Sequence, residues 1–233
     1  MSSYTIYPVG DCCLTLTTGN EINEIFSEKV IAIQKWFNFH AFKGLKDVVV
    51  AYNSVSILYD PFIVRYSNPV EGTVSSFVGR QLVLAYEQSG TSQTNKKLVR
   101  IPVWYGGEAG PDLQSLAAFK QISGEEVVRQ HTAHAYRVYM IGFLPGFPYM
   151  AAVPDAIAMA RKPKPALIAA GSVGIAGIQT GIYPLQSPGG WQIIGRTPVK
   201  VFDPDSKTPF LLETGNEVQF YAISQEEFLR WNP

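Results

Sequence analysis

The sequence predicts two domains of different class, an α+β layer followed by a small closed β-barrel. Three observations predict it. Through residue 90 the periodic segments run strands, helix, strand pair, helix, which suits two helices laid on one face of a sheet. From Pro165 to Pro198 the only formal charge is Arg196, while glycines recur at 171, 174, 177, 181, 189, 190 and 195. Glycine and proline at that density break a membrane-spanning helix and suit short buried strands joined by tight turns. Beyond Pro198, brief β-rich runs alternate with the turns Asp203-Pro-Asp205 and Thr214-Gly-Asn216, as in a barrel.

In the first half, Tyr4 to Val9 and the alternating run Cys12 to Thr17 read as two strands. Ile22, Ile25, Phe26, Val30, Ile33 and Phe37 then form one stripe of an amphipathic helix. Asp47–Tyr52 and Ser54–Tyr59, with Asn53 between them, predict a hairpin stopped by Asp60-Pro61. A second helix is predicted with Asn68 as N-cap, Pro69 at its first position and Glu71 in its first turn. Val70, Val74, Phe77, Val78, Leu82 and Ala85 supply its apolar face. Polar Gln88 to Lys97 reads as a linker. No catalytic constellation occurs in this half, which reads as a scaffold or docking domain.

The second half opens on a strand, Leu98 to Trp104, and Tyr105–Asp112 turns the chain into two helices, Leu113–Gln121 and Gly124 to about His131. The latter carries a capping box, Ser123 to Glu126. Ala135–Gly142 is a strand leading into Phe143-Leu-Pro-Gly-Phe-Pro-Tyr149, whose prolines and glycines among aromatics predict a rigid, shaped turn. Val199–Phe202, Phe210–Glu213 and Val218–Ile223 are expected strands, and Ser224–Glu227 caps a tail helix.

Composition excludes several functions. Nineteen Lys+Arg balance nineteen Asp+Glu, so the chain lacks the electrostatic footprint of a nucleic-acid or anionic-membrane binder. Cys12 and Cys13 are adjacent in a strand, where a mutual disulfide would distort the backbone, and a reducing compartment is expected. The start has no basic n-region and no apolar h-region, and a soluble cytoplasmic protein is expected.

Ala170-Gly-Ser-Val-Gly174 resembles a loosened nucleophile elbow, but all three histidines, His40, His131 and His134, precede Ser172, the wrong order for a hydrolase triad. Gly171, Gly174 and Gly177 match neither the dinucleotide nor the Walker pattern. His131 and His134 sit three apart near a helix end, as metal ligands do, yet no third ligand is evident and no metal is expected. His131 alone reads either as a general base or substrate hydrogen-bonder, or as an imidazolium favoured at a helix C-terminus. Arg196 reads either as a fork for a carboxylate or phosphate, or as the partner of a structural carboxylate. Lys162 and Lys164 are solvated surface or the rim of an anionic-substrate site.

Five blocks carry a resemblance: Tyr105–Asp112, Gly142–Tyr149, Ala170–Gly177, Gln179–Pro184 and Ser187–Pro198, with Val9-Gly-Asp11 and Tyr59-Asp-Pro61 before them. In register over nearly the whole chain, they resemble the family of bacterial 5-oxoprolinase B subunits, also called KipI-like or allophanate hydrolase subunit 1. The resemblance implies an N-terminal ferredoxin-like α+β domain over residues 1–92 and a C-terminal cyclophilin-like β-barrel over 93–233. It implies a cytoplasmic hetero-oligomer with the enzyme's A and C subunits, inactive as a single chain, that opens 5-oxo-L-proline to L-glutamate using ATP with magnesium. The alternatives it carries are an inhibitor of a sensor histidine kinase and, further off, a carboxyltransferase part of a urea carboxylase. Matched onto the family's motifs, His131 and Arg196 are the expected catalytic positions. Phe143, Pro145, Gly146, Phe147, Ser172, Gln179, Trp191 and Thr197 are the expected substrate-binding ones. Ile178 stands where a glycine is common and Lys162-Pro163 alters the usual basic spacing, which leaves substrate preference open. Prolyl isomerase activity does not follow from a barrel shared with cyclophilin.

Overall fold

Alternating burial along Ser54–Tyr59 and the buried middle of Cys13–Thr17 place these two runs at the centre of an antiparallel sheet in the computed structural model. The structure describes residues 4–19, 21–90 and 97–231, and the chain divides into two units, Met1–Thr94 and Asn95–Pro233. Residues 91–96 of the expected linker lie outside the described ones, and Gln88 belongs to a helix. Among the described residues, no helix is long and apolar enough to cross a membrane.

The first unit runs β1 (Thr5–Pro8), β2 (Cys13–Thr17), α1 (Glu24–Phe39), β3 (Leu45–Ala51), β4 (Ser54–Tyr59), α2 (Pro61–Ser67) and α3 (Val74–Gln88). Its sheet has the order β1-β2-β4-β3, antiparallel throughout. Leu14, Leu16, Val55, Ile57 and Tyr59 meet Val30, Ile33 and Phe37 of α1 and Phe77, Val78, Leu82 and Ala85 of α3 in one core. The period-2 and period-3.6 stripes therefore bury against each other, the main source of stability in such a layer. Ile25, counted on the first stripe, is instead 66% exposed.

The helix after the hairpin does not start where the sequence signals place it. Asp60 caps a short helix of its own, accepting from the N–H groups of Phe62 and Ile63 with Pro61 in the first turn, and Asn68 ends that helix. The Asn68 amide donates back to the carbonyls of Val64 and Lys43. Thr73 caps α3 by accepting from Ser76 N–H.

The second unit runs β5 (Leu98–Tyr105), α4 (Leu113–Lys120), α5 (Gly124–Thr132), β6 (Ala135–Ile141), β7 (Pro148–Ala151), β8 (Ala166–Ile168) and β9 (Ser172–Ala176). It continues through β10 (Gln179–Ile182), β11 (Ser187–Gly189), β12 (Gln192–Arg196), β13 (Glu217–Ala222) and α6 (Gln225–Leu229). Seven strands close a barrel in the order β10-β7-β6-β13-β5-β12-β9, with β9 returning to β10. Every pairing is antiparallel except β5 with β13. β8 and β11 form a separate two-stranded ribbon.

Val173 and Ile175 of β9, Ile182 of β10 and Ile194 of β12 join Leu113, Leu116 and Val127 of α4 and α5 in one core. A second cluster, Phe147, Ile168, Ala176, Tyr183, Trp191 and Ile193, draws on neighbouring residues of the same strands. Burial on both faces explains the near-absence of charge between 165 and 198. Glycine serves close approach here: a Cβ at Gly181 would stand 2.9 Å from the Phe147 ring, and one at Gly189 would collide with the Tyr183 hydroxyl.

Two expected strands do not form. Val199–Phe202 and Phe210–Glu213 meet only through the single bridge Phe202–Phe210, where prolines at 204 and 209 interrupt any longer ladder. The capping box at Ser123 is half made. Ser123 accepts from Glu126 N–H, but the Glu126 carboxylate turns to Arg129 and Gln130. At α6 both halves are present, Ser224 with Glu227.

Candidate functional site

Where the second cluster meets the ribbon, aromatic side chains wall a cavity of about 580 Å³, lined by Phe143, Tyr149, Arg161, Gln179, Tyr183 and Trp191 among others. The turn after β6 shapes one side of it. Gly142 N–H donates to Phe147 O at 3.1 Å, which closes the turn, and Phe143 inside it has a left-handed φ of 67°. A bulky residue adopts that conformation only where surrounding contacts hold it. The Phe143 ring stands edge-on to Phe147 and Tyr183, and Phe147 in turn packs against Tyr149 and Trp191. Gly189 leaves the space that the Tyr183 ring fills, and the Tyr183 hydroxyl accepts from the backbone N–H of Trp191.

Burial pushes both cavity phenols, Tyr149 and Tyr183, above the ordinary tyrosine value, while the Arg161 charge pulls each back. Both stay protonated at neutral pH and can donate. Flat aromatic walls, two phenols, one amide and one guanidinium can hold a small planar polar molecule. Among the described residues, no histidine, aspartate, glutamate or cysteine lines the cavity, so its walls lack a side chain that titrates near neutrality.

Of the expected substrate-binding residues, Phe143, Gln179 and Trp191 line this cavity and Phe147 backs it. Pro145 and Gly146 lie in the same turn but not on the cavity, and a Cβ at Gly146 would press on Phe202 at 2.7 Å. Ser172 is buried on β9, opposite Arg196 in the ladder, and Thr197 is buried with its hydroxyl accepting from Val199 N–H. Arg196 lines a second, smaller hollow of about 300 Å³ with Thr197 and Phe228. Its Nε donates to Ala170 O at 2.8 Å and its guanidinium lies 5.9 Å from the Phe228 ring centre.

His131 lies in the core and not at the cavity. It has no exposed surface and stacks against Tyr136 and Phe220. Thr180 donates its hydroxyl to Gly174 O, so it must accept from His131 Nε2–H at 2.9 Å, which leaves Nδ1 to accept from the Tyr105 hydroxyl at 2.8 Å. Both ring nitrogens are thus satisfied inside the protein, and burial drops the imidazole to a pKa of about 3, so it is no imidazolium at the helix end. His134, three residues on, is exposed, so the two histidines share no site. Among the described residues, no three His, Cys, Asp or Glu side chains stand close enough to hold a metal.

Arg161 carries no distinguishing signal in the sequence. Lys162 and Lys164 are the members of the same basic run that sequence reasoning singles out, yet Lys162 Nζ is tied to Asp112 at 2.6 Å. The Asp112 carboxylate also accepts from Ile193 N–H at 2.7 Å. Which side chain of Arg-Lys-Pro-Lys turns to the cavity depends on these distant partners.

The seven-stranded mixed barrel shares its fold with the K. lactis urea amidolyase and urea carboxylase. A family model described as "Carboxyltransferase domain, subdomain C and D" matches residues 4–212. The chain is 41% identical to the 5-oxoprolinase B subunit of Bacillus subtilis over 97% of its length and 95% of that protein's. It belongs to the family of 5-oxoprolinase B subunits. A crystal structure of a conserved uncharacterised protein of Pyrococcus horikoshii matches 96% of this chain and all of that one at 38% identity, with a TM-score of 0.56. The K. lactis urea amidolyase matches 97% of this chain with 15% of its own, at a TM-score of 0.79 and 18% identity, and shares the fold.

Proposed function

We propose that this chain is one subunit of a cytoplasmic, hetero-oligomeric, ATP-dependent 5-oxoprolinase, a lactam hydrolase, and that it supplies the binding half of a site that opens 5-oxo-L-proline to L-glutamate. The observation that carries this is the cavity itself: it presents donors, a cation and aromatic walls, yet no side chain able to act as base or nucleophile at neutral pH. Opening an unstrained lactam needs both recognition and a base, so a cavity with only the first calls for a partner surface. The enzyme's C subunit is the natural source of it, with the A subunit making up the rest of the complex. Relatives that carry the 5-oxoprolinase name support the same reading.

ATP with magnesium supplies phosphoryl activation of the lactam amide and is assigned to the partners. The glycine-rich turn from β5 to α4 does not fit a phosphate: a Cβ at Gly110 would overlap the Ile194 carbonyl, so that turn is packed, and the Asp112 carboxylate stands at the helix start. In this reading His131 positions the barrel strands through Thr180, and Arg196 braces the strand edge through Ala170. The barrel is read as cyclophilin-like. The first unit is read as a ferredoxin-like variant in which β1 takes the edge place of a strand after the last helix.

The test is ATP-dependent glutamate formation from 5-oxoproline, with this chain mixed with the partner A and C subunits, each component left out in turn. Activity should vanish when this chain is omitted. Activity indifferent to it would overturn the reading and direct attention to the alternative partner, a sensor histidine kinase.

A further inference from the structure

Arg161 is the one charged side chain that lines the aromatic cavity, and among the described residues no carboxylate pairs with it. The side chain lies along the backbone of Gly190, where a Cβ would approach Nε at 3.7 Å and Nη2 at 3.8 Å. Its charge reaches both Tyr149 and Tyr183.

The backbone that carries it is fixed from both sides. Ala160 O accepts from the Gln192 amide at 2.8 Å, and Lys162 N–H donates to Gly190 O at 2.7 Å. Lys162 Nζ is held by Asp112, which is itself bound to Ile193 N–H. The anchored backbone sets an exposed guanidinium at the mouth of a cavity it shares with two phenols, where its planar fork can meet a bidentate anion.

We propose that Arg161 binds the carboxylate of the substrate, with the phenols of Tyr149 and Tyr183 and the amide of Gln179 lining the space for its planar amide group. The ligand class is a small carboxylic acid that carries a neighbouring cyclic or planar amide. This rests on the function proposed above, and it moves the carboxylate fork from Arg196 to Arg161. Arg196 spends Nε on Ala170 and lines a different hollow.

Two measurements test it. In the assembled enzyme, Arg161→Met should raise KM for 5-oxoproline about tenfold to a hundredfold, the effect of removing a charge-assisted hydrogen bond, while kcat changes far less. Arg161→Lys should restore part of the loss, because charge returns without the planar fork. An unchanged KM in an active Arg161→Met complex would overturn the inference and leave the proposed function standing. Separately, the full chain is titrated calorimetrically with 5-oxo-L-proline and with 2-pyrrolidinone, the same ring without the carboxylate. The wild type should bind the acid more tightly than the neutral lactam, and Arg161→Met should erase that preference. If the complex proves inactive on 5-oxoproline, the function falls while this titration still decides the site. A wild type without preference for the acid, or a preference that the variant keeps, overturns it.

Discussion

His131 shows how a residue's chemistry is set by what surrounds it. In the sequence it stands near a helix end, where proton transfer and structural duty look alike, and folding sets both its ring nitrogens against hydroxyls of distant strands, Tyr105 and Thr180. Its pKa falls from 6.5 to about 3 on folding because burial disfavours the charged ring. The unfolded chain therefore binds the proton first as pH drops, so the His131 contribution to stability is full above about pH 6.5 and is lost as pH falls towards 3. Between pH 7 and 5 this one group should cost about 2 kcal/mol. His131→Phe keeps the stacking but strands the Tyr105 hydroxyl. It should lose about 1–3 kcal/mol at pH 7 and show a flatter pH dependence in urea unfolding. An unaltered pH slope would place the titrating group elsewhere. Arg161 was illegible for the related reason that the backbone beneath it is placed by bonds its neighbours make to Gly190, Gln192 and Asp112.

Among the elements, strand runs and helix faces were readable because burial repeats with the period of the backbone. Helix ends were readable only where a single signal competed. Ser224 and Glu227 form the box their spacing announces, whereas Asn68-Pro69 carries a valid start signal that the preceding helix uses as its stop. The segment from 160 to 165 has no periodicity, and its position rests on the Asp112 carboxylate joining it to β12. Asp112→Ala leaves the Ile193 N–H and the Lys162 ammonium without their acceptor. A stability loss of about 1–3 kcal/mol in urea unfolding is expected. Because the same segment carries Arg161, KM for 5-oxoproline should rise more than kcat falls. A variant that loses stability but keeps KM would show that the clamp does not hold the arginine.

For the whole molecule, the barrel was legible as a change of pattern, from amphipathic stripes to glycine-punctuated strands without charge. What escaped was which strands are neighbours, since β5 pairs with β12 and β13, both far along the chain. The core of the first unit shares no residue with the two clusters of the second. A fragment of residues 95–233 should accordingly fold alone, with a cooperative unfolding transition and a strand-rich circular dichroism spectrum; a gradual, non-cooperative melt would show that it cannot. The parallel seam between β5 and β13 joins Leu98 to Glu217 and Val103 to Ala222. On the ribosome, then, the first strand of the barrel emerges long before the one that must lie beside it. Its exposed edge waits through the synthesis of every other barrel strand, and the barrel closes only once residue 222 has left the exit tunnel.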